Sequence, residues 1–468
     1  MAEKKKEKIP RQPMPVHDPD VRVKNFKAVS LGFSPDMALL EASRCIQCKD
    51  PRCRKGCPVG VDIPAFIKCI QDNDFESGIA RIKERNVLPA VTGRVCPQET
   101  QCEAHCILGK KGEPVGIGRL ERFLADWERN EGKVKLPQKA PSTGKKGAVV
   151  GSGPSGLTVA GNLVLKGHDI IVFEAFHKPG GVLLYGIPEF RLPKEVLLAE
   201  IDYLERLGVR FECNSVVGKI ALVKDLFDEG YHAIFVGVGA GLPRFLNIPG
   251  ENLIGIYSAN EYLTRSNLMK AYLFPEYDTP IAIGKKVVVI GGGNVALDSA
   301  RTAVRLGADS VEIIYRRTWE EMPARALEID RAEEEGIEVH VLINPVRFIG
   351  DDKGRLKTVE CVHMELGEPE PSGRRRPVPI KGSNFEIECD LVVICVGSGA
   401  NPLLTSVTPE LVLNEMGYIL TQPETGKTTM PGVWAGGDIV TGSATVISAM
   451  GAGRRAADSM HRYMMWGW

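Results

Sequence analysis

The feature of this sequence that most constrains its fold is a glycine-rich turn between two short apolar runs in residues 146–174. A helix-like segment separates the turn from the second run, so the order is strand, turn, helix, strand. The residues of interest are Gly151, Gly153, Pro154, Gly156 and Glu174. Glycines at this spacing allow a tight turn, approach of backbone amides to a pyrophosphate and close helix–strand packing, while the acid accepts ribose hydroxyls. We predict an FAD site here; a tight turn in an ordinary α/β domain is the alternative.

The same pattern returns in residues 285–317, with alanine in place of the third glycine, which this fold allows. The turn contains Gly291, Gly293, Asn294 and Ala296, and the second strand ends at Arg316 and Arg317. No acid stands at that strand end, and guanidinium groups bind a ribose 2′-phosphate through charge-assisted hydrogen bonds. The second site is therefore predicted to prefer NADPH to NADH. The alternative is two arginines on a solvated strand end.

A third motif, in residues 428–438, contains Gly437 and Asp438 and resembles the second flavin-binding motif of flavoproteins with two dinucleotide domains. The helix after it, starting near Thr445, would direct its N-terminus at the flavin ring and stabilise negative charge there. Gly181, in a glycine pair, suits a close approach of backbone to the ring. Because this motif follows the NADPH unit, the nicotinamide domain is predicted to be inserted in a split FAD domain.

Seven of the twelve cysteines form an array with the spacing C-x2-C-x4-C-x3-C-P, then C-x5-C-x3-C. They are Cys45, Cys48, Cys53, Cys57, Cys96, Cys102 and Cys106. A run of four cysteines that closes on Cys-Pro is closer to ferredoxin-type iron–sulfur spacing than to zinc spacing, although zinc with His105 is the alternative. Two four-iron clusters need eight ligands. The eighth is Cys69, which lies in an apolar segment, or a residue of another type such as Glu121.

A segment rich in lysine, proline, serine and glycine, residues 133–146, predicts an exposed linker. The predicted fold is α/β, with two Rossmann-like dinucleotide-binding domains preceded by an α-helical iron–sulfur domain. The predicted domains are residues 1–144 (helical), 145–282 (first part of the FAD domain), 283–395 (NADPH domain) and 396–468 (second part of the FAD domain). Residues 336–350 and 358–366 predict antiparallel strands within the third domain.

The 468 residues include 59 basic and 59 acidic side chains, so there is no bulk charge to attract nucleic acid or an anionic membrane. The opening MAEKKKEK has no apolar core of a signal peptide, and the longest apolar runs are too short to span a bilayer. We expect a cytoplasmic protein that binds neither nucleic acid nor membrane.

Several motifs together resemble the glutamate synthase small-subunit family along nearly the whole chain. They are the cysteine array, GSGPSG, GGVLLYGIPEFRLPK, GGGNVALD, YRRTWEEMPA and GVWAGGDIVTGSATVISAMGAGRRAA. Relatives include the N-terminal part of dihydropyrimidine dehydrogenase and the larger subunit of NADH-dependent reduced ferredoxin:NADP oxidoreductase. The opening RQPMPVHDPDVRVKNFKAVSLGF looks most like that larger subunit.

The resemblance implies a division of the iron ligands. One four-iron cluster would be held by Cys45, Cys48, Cys53 and Cys106, and the other by Cys57, Cys96, Cys102 and Glu121. It also implies hydride exchange between NADPH and FAD, and passage of single electrons through the clusters. Because cofactors perform this chemistry, we assign no catalytic side chain. A disulfide reductase would need a redox cysteine pair near the flavin, and no such spacing occurs after Cys106.

The resemblance leaves three functions open. The first is a subunit of an electron-bifurcating transhydrogenase, with a smaller FAD/iron–sulfur subunit and ferredoxin as partners. The second is the small subunit of glutamate synthase, with the large subunit as partner. The third is a stand-alone NADPH:acceptor reductase.

Overall fold

The computed structural model describes residues 9–370 and 373–467. The basic opening, considered above for a targeting signal, lies outside the described residues. The first part of the chain is helical. Its helices are α1 (Pro19–Arg22), α2 (Pro35–Ala42), α3 (Arg52–Lys55), α4 (Ile63–Gln71), α5 (Phe75–Lys83), α6 (Pro89–Val95) and α7 (Ile117–Asn130), with 3₁₀ turns at Gln98–Thr100 and Ile107–Lys110.

Local sequence explains where these helices begin. The Ser34 hydroxyl accepts a hydrogen bond from the Met37 amide, and Pro35 follows at the first helical position of α2. Asp74 caps α5 in the same way, accepting from the Ser77 amide at 3.0 Å. Residues 133–145, after α7, contain no helix or strand and are mostly exposed, as expected of a linker.

The first nucleotide domain is built on a five-stranded parallel sheet. Its earlier part contains β1 (Lys146–Val150), α8 (Pro154–Leu165), β2 (Asp169–Phe173), α9 (Val182–Tyr185), α10 (Lys194–Arg206), β3 (Arg210–Glu212), α11 (Val223–Asp228) and β4 (Ala233–Val236). The chain then leaves through the short strand β5 (Leu242–Pro243).

The second nucleotide domain follows β5. Its elements are β6 (Ile256–Ser258), α12 (Ala259–Asn267), β7 (Lys286–Ile290), α13 (Asn294–Leu306), β8 (Ser310–Tyr315), α14 (Ala326–Glu334), β9 (Glu338–Val341), β10 (Ile343–Gly350), β11 (Leu356–Pro369), β12 (Arg375–Pro379), β13 (Phe385–Glu388) and β14 (Leu391–Ile394). The parallel sheet order is β6-β14-β7-β8-β9, and β10 to β13 form a separate antiparallel sheet.

The chain returns to the first domain through β15 (Ser398–Gly399), which pairs antiparallel with β5. The remaining elements are α15 (Pro402–Thr405), β16 (Val433–Ala435), α16 (Asp438–Thr441) and α17 (Val446–Trp466). Strand β16 completes a sheet of order β16-β4-β1-β2-β3. The predicted fold, a helical domain followed by a split nucleotide domain with a second one inserted, is therefore confirmed.

Two local predictions need correction. Strand β6 lies in the second sheet, beside β14, although residue 256 was expected in the first domain. We therefore propose the β5–β15 ribbon, rather than residue 283, as the domain boundary. Residues 336–350 were expected to form one antiparallel strand. They divide at Leu342, whose φ is 58°, into β9, which is parallel to β8, and β10, which is antiparallel to β11.

The helical domain and the first nucleotide domain share one apolar core. Buried side chains of both domains belong to the same cluster, for example Phe66 and Leu120 on the helical side and Leu157 and Met460 on the other. The Ala90 amide of α6 donates to the Glu200 carboxylate of α10 at 2.7 Å. The helical domain thus packs as one body with the first nucleotide domain.

A strap, residues 16–33, connects the helical part to the second nucleotide domain. Its Arg22 is 1% exposed and donates to Glu335 at 2.8 Å and to Glu334 at 2.6 Å. Two arginines of α13, Arg301 and Arg305, share the Glu335 carboxylate. The Phe190 ring, from the first nucleotide domain, lies under both of these guanidinium groups at 4.8 and 4.0 Å. Three parts of the chain therefore meet at one buried ionic junction.

Candidate functional site

The first glycine turn lies at the carboxyl end of β1. Gly151 has φ +98°, and a Cβ there would lie 2.5 Å from the Gly237 carbonyl oxygen. A Cβ at Gly156 would lie 2.0 Å from the Gly151 oxygen. Gly153, by contrast, faces open space, and Pro154 occupies the first position of α8. The turn has the open face and the helix N-terminus that a pyrophosphate requires.

The acid at the end of β2 is held by donors of the protein itself. Glu174 is 5% exposed; its Oε2 accepts from the Ser152 amide at 3.0 Å and from the Ser152 hydroxyl, and its Oε1 accepts from the Phe176 amide at 2.9 Å. The Ser152 hydroxyl oxygen in turn accepts from the Gly180 amide at 2.8 Å. Sequence analysis did not identify Ser152, whose signal was a hydroxyl at a variable position inside the fingerprint.

Two distant segments close over this turn. A Cβ at Gly181, whose φ is +54°, would lie 2.7 Å from the Gly153 Cα, and one at Gly437 would lie 2.8 Å from the Ser155 hydroxyl. Asp438 accepts from the Ala444 amide at 3.3 Å, and burial raises the pKa of Asp438 to about 6. The motif from the end of the chain thus meets the turn from its middle, which brings together residues that the sequence predicts to bind FAD.

Helix α17 begins at this place. Its N-cap, Thr445, accepts from the Ser448 amide at 3.2 Å. The Gln101 side-chain amide of the helical domain donates to the same hydroxyl at 3.4 Å. Farther along α17, a Cβ at Gly451 would lie 2.8 Å from the Pro58 carbonyl oxygen. The helical domain therefore touches the helix that faces the predicted flavin.

The second glycine turn has the same backbone but a more open surface. Gly291 has φ +144°, and a Cβ there would lie 2.4 Å from the Cys395 carbonyl oxygen; Gly293 faces open space. Ala296 is buried, and the Asn294 side-chain oxygen accepts from the Arg325 amide at 3.1 Å. The Arg325 guanidinium bridges to Glu99 of the helical domain at 2.7 Å.

The two arginines at the end of β8 have different surroundings. Arg317 is 2% exposed and donates to Glu370 at 2.8 Å and to the Arg375 carbonyl at 2.8 Å. Arg316 is exposed and makes no hydrogen bond or ion pair with any other residue that the structure describes. Of the pair, Arg316 is the one with a guanidinium available for a 2′-phosphate.

The cysteine array divides into two groups. We call Cys45, Cys48, Cys53 and Cys106 the outer group, and Cys57, Cys96, Cys102 and Glu121 the inner group. Burial raises the pKa of Cys53 to about 12, and the nearby thiols of its own group add to the effect. Burial likewise raises the pKa of Cys45, with contributions from Cys106 and Cys48. The strongest electrostatic partners among the array are thus members of one group.

In the inner group too, members of the group raise the pKa of one another. Burial raises the pKa of Cys96 well above its usual value, and Glu121, Cys102 and Cys57 raise it further. Burial, then Glu103, then Glu121 and Cys57, raise the pKa of Cys102. The pKa of Glu121 is raised to about 7 by burial, against two hydrogen bonds that lower it. Buried acids that repel one another suit a ligand that displaces their protons with positive charge.

These groups are not arranged around a single ion. Within residues 9–370 and 373–467, no set of three or more His, Cys, Asp or Glu side chains could hold one metal ion. Cysteine thiolates are the usual protein ligands of iron–sulfur clusters. Each of the two groups contains four acidic side chains, which is the number of protein ligands that a four-iron cluster takes. In the same described residues, no helix is long and apolar enough to cross a membrane.

Comparison with known proteins is consistent with this geometry. Residues 145–453 match the family described as pyridine nucleotide-disulphide oxidoreductase, and residues 22–133 match dihydropyrimidine dehydrogenase domain II, 4Fe-4S cluster. The glutamate synthase [NADPH] small chain of Azospirillum brasilense is 36% identical over 450 residues, which cover 94% of this chain and 92% of that protein. The chain belongs to the glutamate synthase small-subunit family of flavoproteins. This confirms the predicted class, an NADPH-dependent FAD and iron–sulfur oxidoreductase.

Other members of the family are longer. The NADP(+)-dependent formate dehydrogenase subunit beta of Moorella thermoacetica is 39% identical over 438 residues, which cover 89% of this chain but only 60% of that subunit. This chain therefore spans less than two thirds of that relative. Among solved structures, FprA of Mycobacterium tuberculosis in complex with NADPH has a TM-score of 0.56 at 22% identity, covering 69% of this chain and 84% of FprA. That likeness concerns the fold alone.

Proposed function

We propose that this family member is a subunit of a cytoplasmic electron-transfer complex. It exchanges a hydride between NADPH and FAD, and single electrons through two 4Fe–4S clusters with ferredoxin or a partner subunit. The observation that carries the proposal is the contact of the inner group's neighbours with α17: Gln101, next to Cys102, donates to Thr445, and Pro58, next to Cys57, packs on Gly451. One cluster site therefore adjoins the flavin site.

The residues present fit the expected cofactors. FAD would be held by Gly151, Gly153, Pro154, Gly156, Glu174, Gly181, Gly437, Asp438 and Thr445. NADP(H) would be held by Gly291, Gly293, Asn294, Ala296 and Arg316, with Arg317 supporting the strand end through Glu370. The inner and outer groups would each hold one cluster.

The chain supplies positions and charges for the chemistry. Bound FAD converts between hydride transfer and single-electron transfer. The open faces of Gly153 and Gly293 would admit the pyrophosphates of FAD and NADP(H), respectively. The N-terminus of α17 would stabilise negative charge on the flavin ring. No side-chain acid or base is needed for the hydride step.

The outer group offers a route to an external acceptor. Exposed cations lie within five residues of its cysteines along the chain: Lys49, Arg52, Arg54, Lys55, Lys110 and Lys111. Arg54 and Lys55 face Asp62 and Asp50 at 3.9 and 3.2 Å, whereas the other four make no ion pair with any described residue. Exposed Ile46 lies next to Cys45 in this surface. A positive rim around a small apolar area suits an acidic carrier such as ferredoxin.

The preferred form of the proposal is a bifurcating NADH-dependent ferredoxin:NADP transhydrogenase, in which a smaller FAD/iron–sulfur subunit is the second partner. The resemblance of the opening segment to the larger subunit of that enzyme supports it. A glutamate synthase small subunit is the second candidate, favoured by the near-complete coverage of that relative. A stand-alone reductase is the third.

The deciding experiment is anaerobic purification from the native cells, with mass spectrometry of whichever chain copurifies. A small FAD/iron–sulfur partner, together with NADH-dependent reduction of NADP⁺ by reduced ferredoxin, would support the transhydrogenase. A large amidotransferase chain and glutamate formation would replace it with glutamate synthase. Purification without a partner, with NADPH:acceptor activity intact, would contradict both complexes.

A further inference from the structure

Glu121 is held by two side chains that the cysteine array does not include. Its Oε1 accepts from the Asn86 amide at 2.7 Å and from the Thr92 hydroxyl at 2.6 Å. Asn86 and Thr92 are both 0% exposed. No described residue donates to the other oxygen, Oε2. The carboxylate therefore has one saturated oxygen and one without a protein partner.

The two donors are themselves fixed in place. The Asn86 side-chain oxygen accepts from the Leu88 amide at 3.0 Å, which leaves both of its N–H groups to donate, one to Glu121 and one to the Thr92 hydroxyl oxygen at 2.7 Å. The Thr92 hydroxyl has one proton, and its contact with Glu121 at 2.6 Å is shorter than those with the Leu88 carbonyl at 3.0 Å and the Pro89 carbonyl at 3.3 Å. Rotation of either side chain would break bonds at both of its ends. With the Thr92 proton directed at Glu121, every side-chain donor of the pair has an acceptor.

We propose that Asn86 and Thr92 are positioning residues for the cluster of the inner group. This proposal rests on the ligand set proposed above for that group. The two residues hold Glu121 by Oε1, which leaves Oε2 as the oxygen that would bind iron together with the Cys57, Cys96 and Cys102 thiolates. Oriented ligands with fixed hydrogen-bond partners are typical of metal sites, and loss of such partners costs about 10- to 100-fold in metal affinity. A carboxylate ligand is also harder than a thiolate, so its orientation decides how firmly iron is retained at that corner.

The test uses the intact chain, purified anaerobically, with variants that separate the hydroxyl from its volume. Thr92→Val removes the donor and keeps the shape, whereas Thr92→Ser keeps the donor. Asn86→Asp keeps the acceptor for Leu88 and removes the donor to Glu121. The measurements are chelator-promoted iron release, low-temperature electron paramagnetic resonance (EPR) of the reduced protein, and the midpoint potential of each cluster. The outer group serves as the internal control.

We expect half of the bound iron to leave about 10- to 100-fold faster from Thr92→Val and Asn86→Asp than from wild type or Thr92→Ser. The EPR g-values of one cluster should change, and its midpoint potential should fall because fewer donors stabilise the added negative charge, while the second cluster stays as in wild type. A merely structural network would lower the melting temperature and leave these three readouts unchanged, which would overturn the proposal.

Glu121→Gln separates the proposal from its premise, and no partner protein is needed for these readouts. If this variant matches wild type in iron release, EPR and potential, Glu121 is not a ligand and the ligand set fails together with the proposal. If Glu121→Gln alters them while Thr92→Val and Asn86→Asp do not, the ligand set stands and the positioning role falls.

Discussion

The two nucleotide units have similar backbone geometry at their glycine turns and differ in the exposure of the residues around those turns. Both begin with a left-handed glycine beside a neighbouring carbonyl and continue with a glycine that faces open space. Two residues after that glycine, Ser155 of the first turn is 4% exposed, whereas Val295 of the second turn is 49% exposed. At the strand ends, Glu174 is buried and already hydrogen-bonded, whereas Arg316 is exposed.

We propose that this difference separates a retained cofactor from an exchanging one. The first unit is covered by Gly181 and Gly437 from other parts of the chain, so its ligand would be enclosed by three segments. The second turn has no such cover among the described residues at Gly293 and Val295, so a soluble nucleotide would enter and leave without rearrangement of the fold. Four changes test this comparison.

The largest effect is expected from Gly156→Ala in the first turn. A Cβ at this position would overlap the Gly151 oxygen at 2.0 Å, and backbone cannot yield as a side chain can. We expect loss of bound FAD and destabilisation of about 3 kcal/mol or more. Flavin absorbance after desalting and the melting temperature measure the two effects. Full FAD content in this variant would contradict close helix–strand packing at the turn.

A second difference lies at the base of the units, where His168 precedes β2 and Ala308 occupies the matching place before β8. His168 contacts Thr143 at 2.7 Å and His461 at 2.8 Å; burial, then His461 and Lys166, lowers the pKa of His168 to about 4. Between the ordinary pKa near 6.5 and 4, the unfolded chain binds the extra proton, so stability falls as pH falls. We expect a loss of up to about 3 kcal/mol over that window.

The measurement is unfolding monitored by flavin release from pH 7 to pH 4, with His168→Leu as the comparison. The variant should lack most of the wild-type slope because it has no proton to bind. An unchanged slope would assign the acid sensitivity to other groups.

Nucleotide selection tests the second unit. Arg316→Ala should raise KM for NADPH about 10- to 100-fold and leave KM for NADH nearly unchanged, because a charge-assisted hydrogen bond is worth about 1.5–3 kcal/mol. Arg317→Ala is the control, since it would break the pair with Glu370 and lower stability instead. Steady-state reduction of an artificial acceptor measures KM for NADPH and for NADH in both variants. Equal losses for the two nucleotides would remove Arg316 from the 2′-phosphate site.

The smallest effect is expected from Ala296→Gly, which gives the second turn the glycine that the first requires. Space is not limiting there, so the cost is that of glycine in a helix, about 1 kcal/mol. NADPH binding should persist, with a slightly lower melting temperature. A loss of stability as large as that expected for Gly156→Ala would contradict the inference that space at residue 296 is not limiting.

Sequence predicted the parts of this fold that depend on local pattern. The glycine turns, the acid of the first unit and the insertion of one nucleotide domain in the other all follow from residues near one another in the chain. The missed features are non-local. Strand β6 has three residues and no periodicity, so only its pairing with β14 assigns it to the second sheet. Arg317 looks equivalent to Arg316 until Glu370, 53 residues away, is placed against it.

The site shows the same limit. Spacing predicted cluster ligands, but their division into two groups came from resemblance, because residues 106 and 45 are brought together only by folding. Asn86 and Thr92 carry no motif at all. Their contact with Glu121 depends on the packing of α6 against α7, which sequence reasoning did not resolve.

The ionic junction of the strap also sets an order of events during protein synthesis. Arg22 and its partner Glu335 are 313 residues apart. At about 5–20 residues per second, a ribosome takes roughly 15 to 60 s to supply the second after the first. The strap therefore stays without its buried partner throughout that time, and every cysteine of the array is synthesised within it. The cysteine array is therefore complete before the opening segment can be tied to the second nucleotide domain.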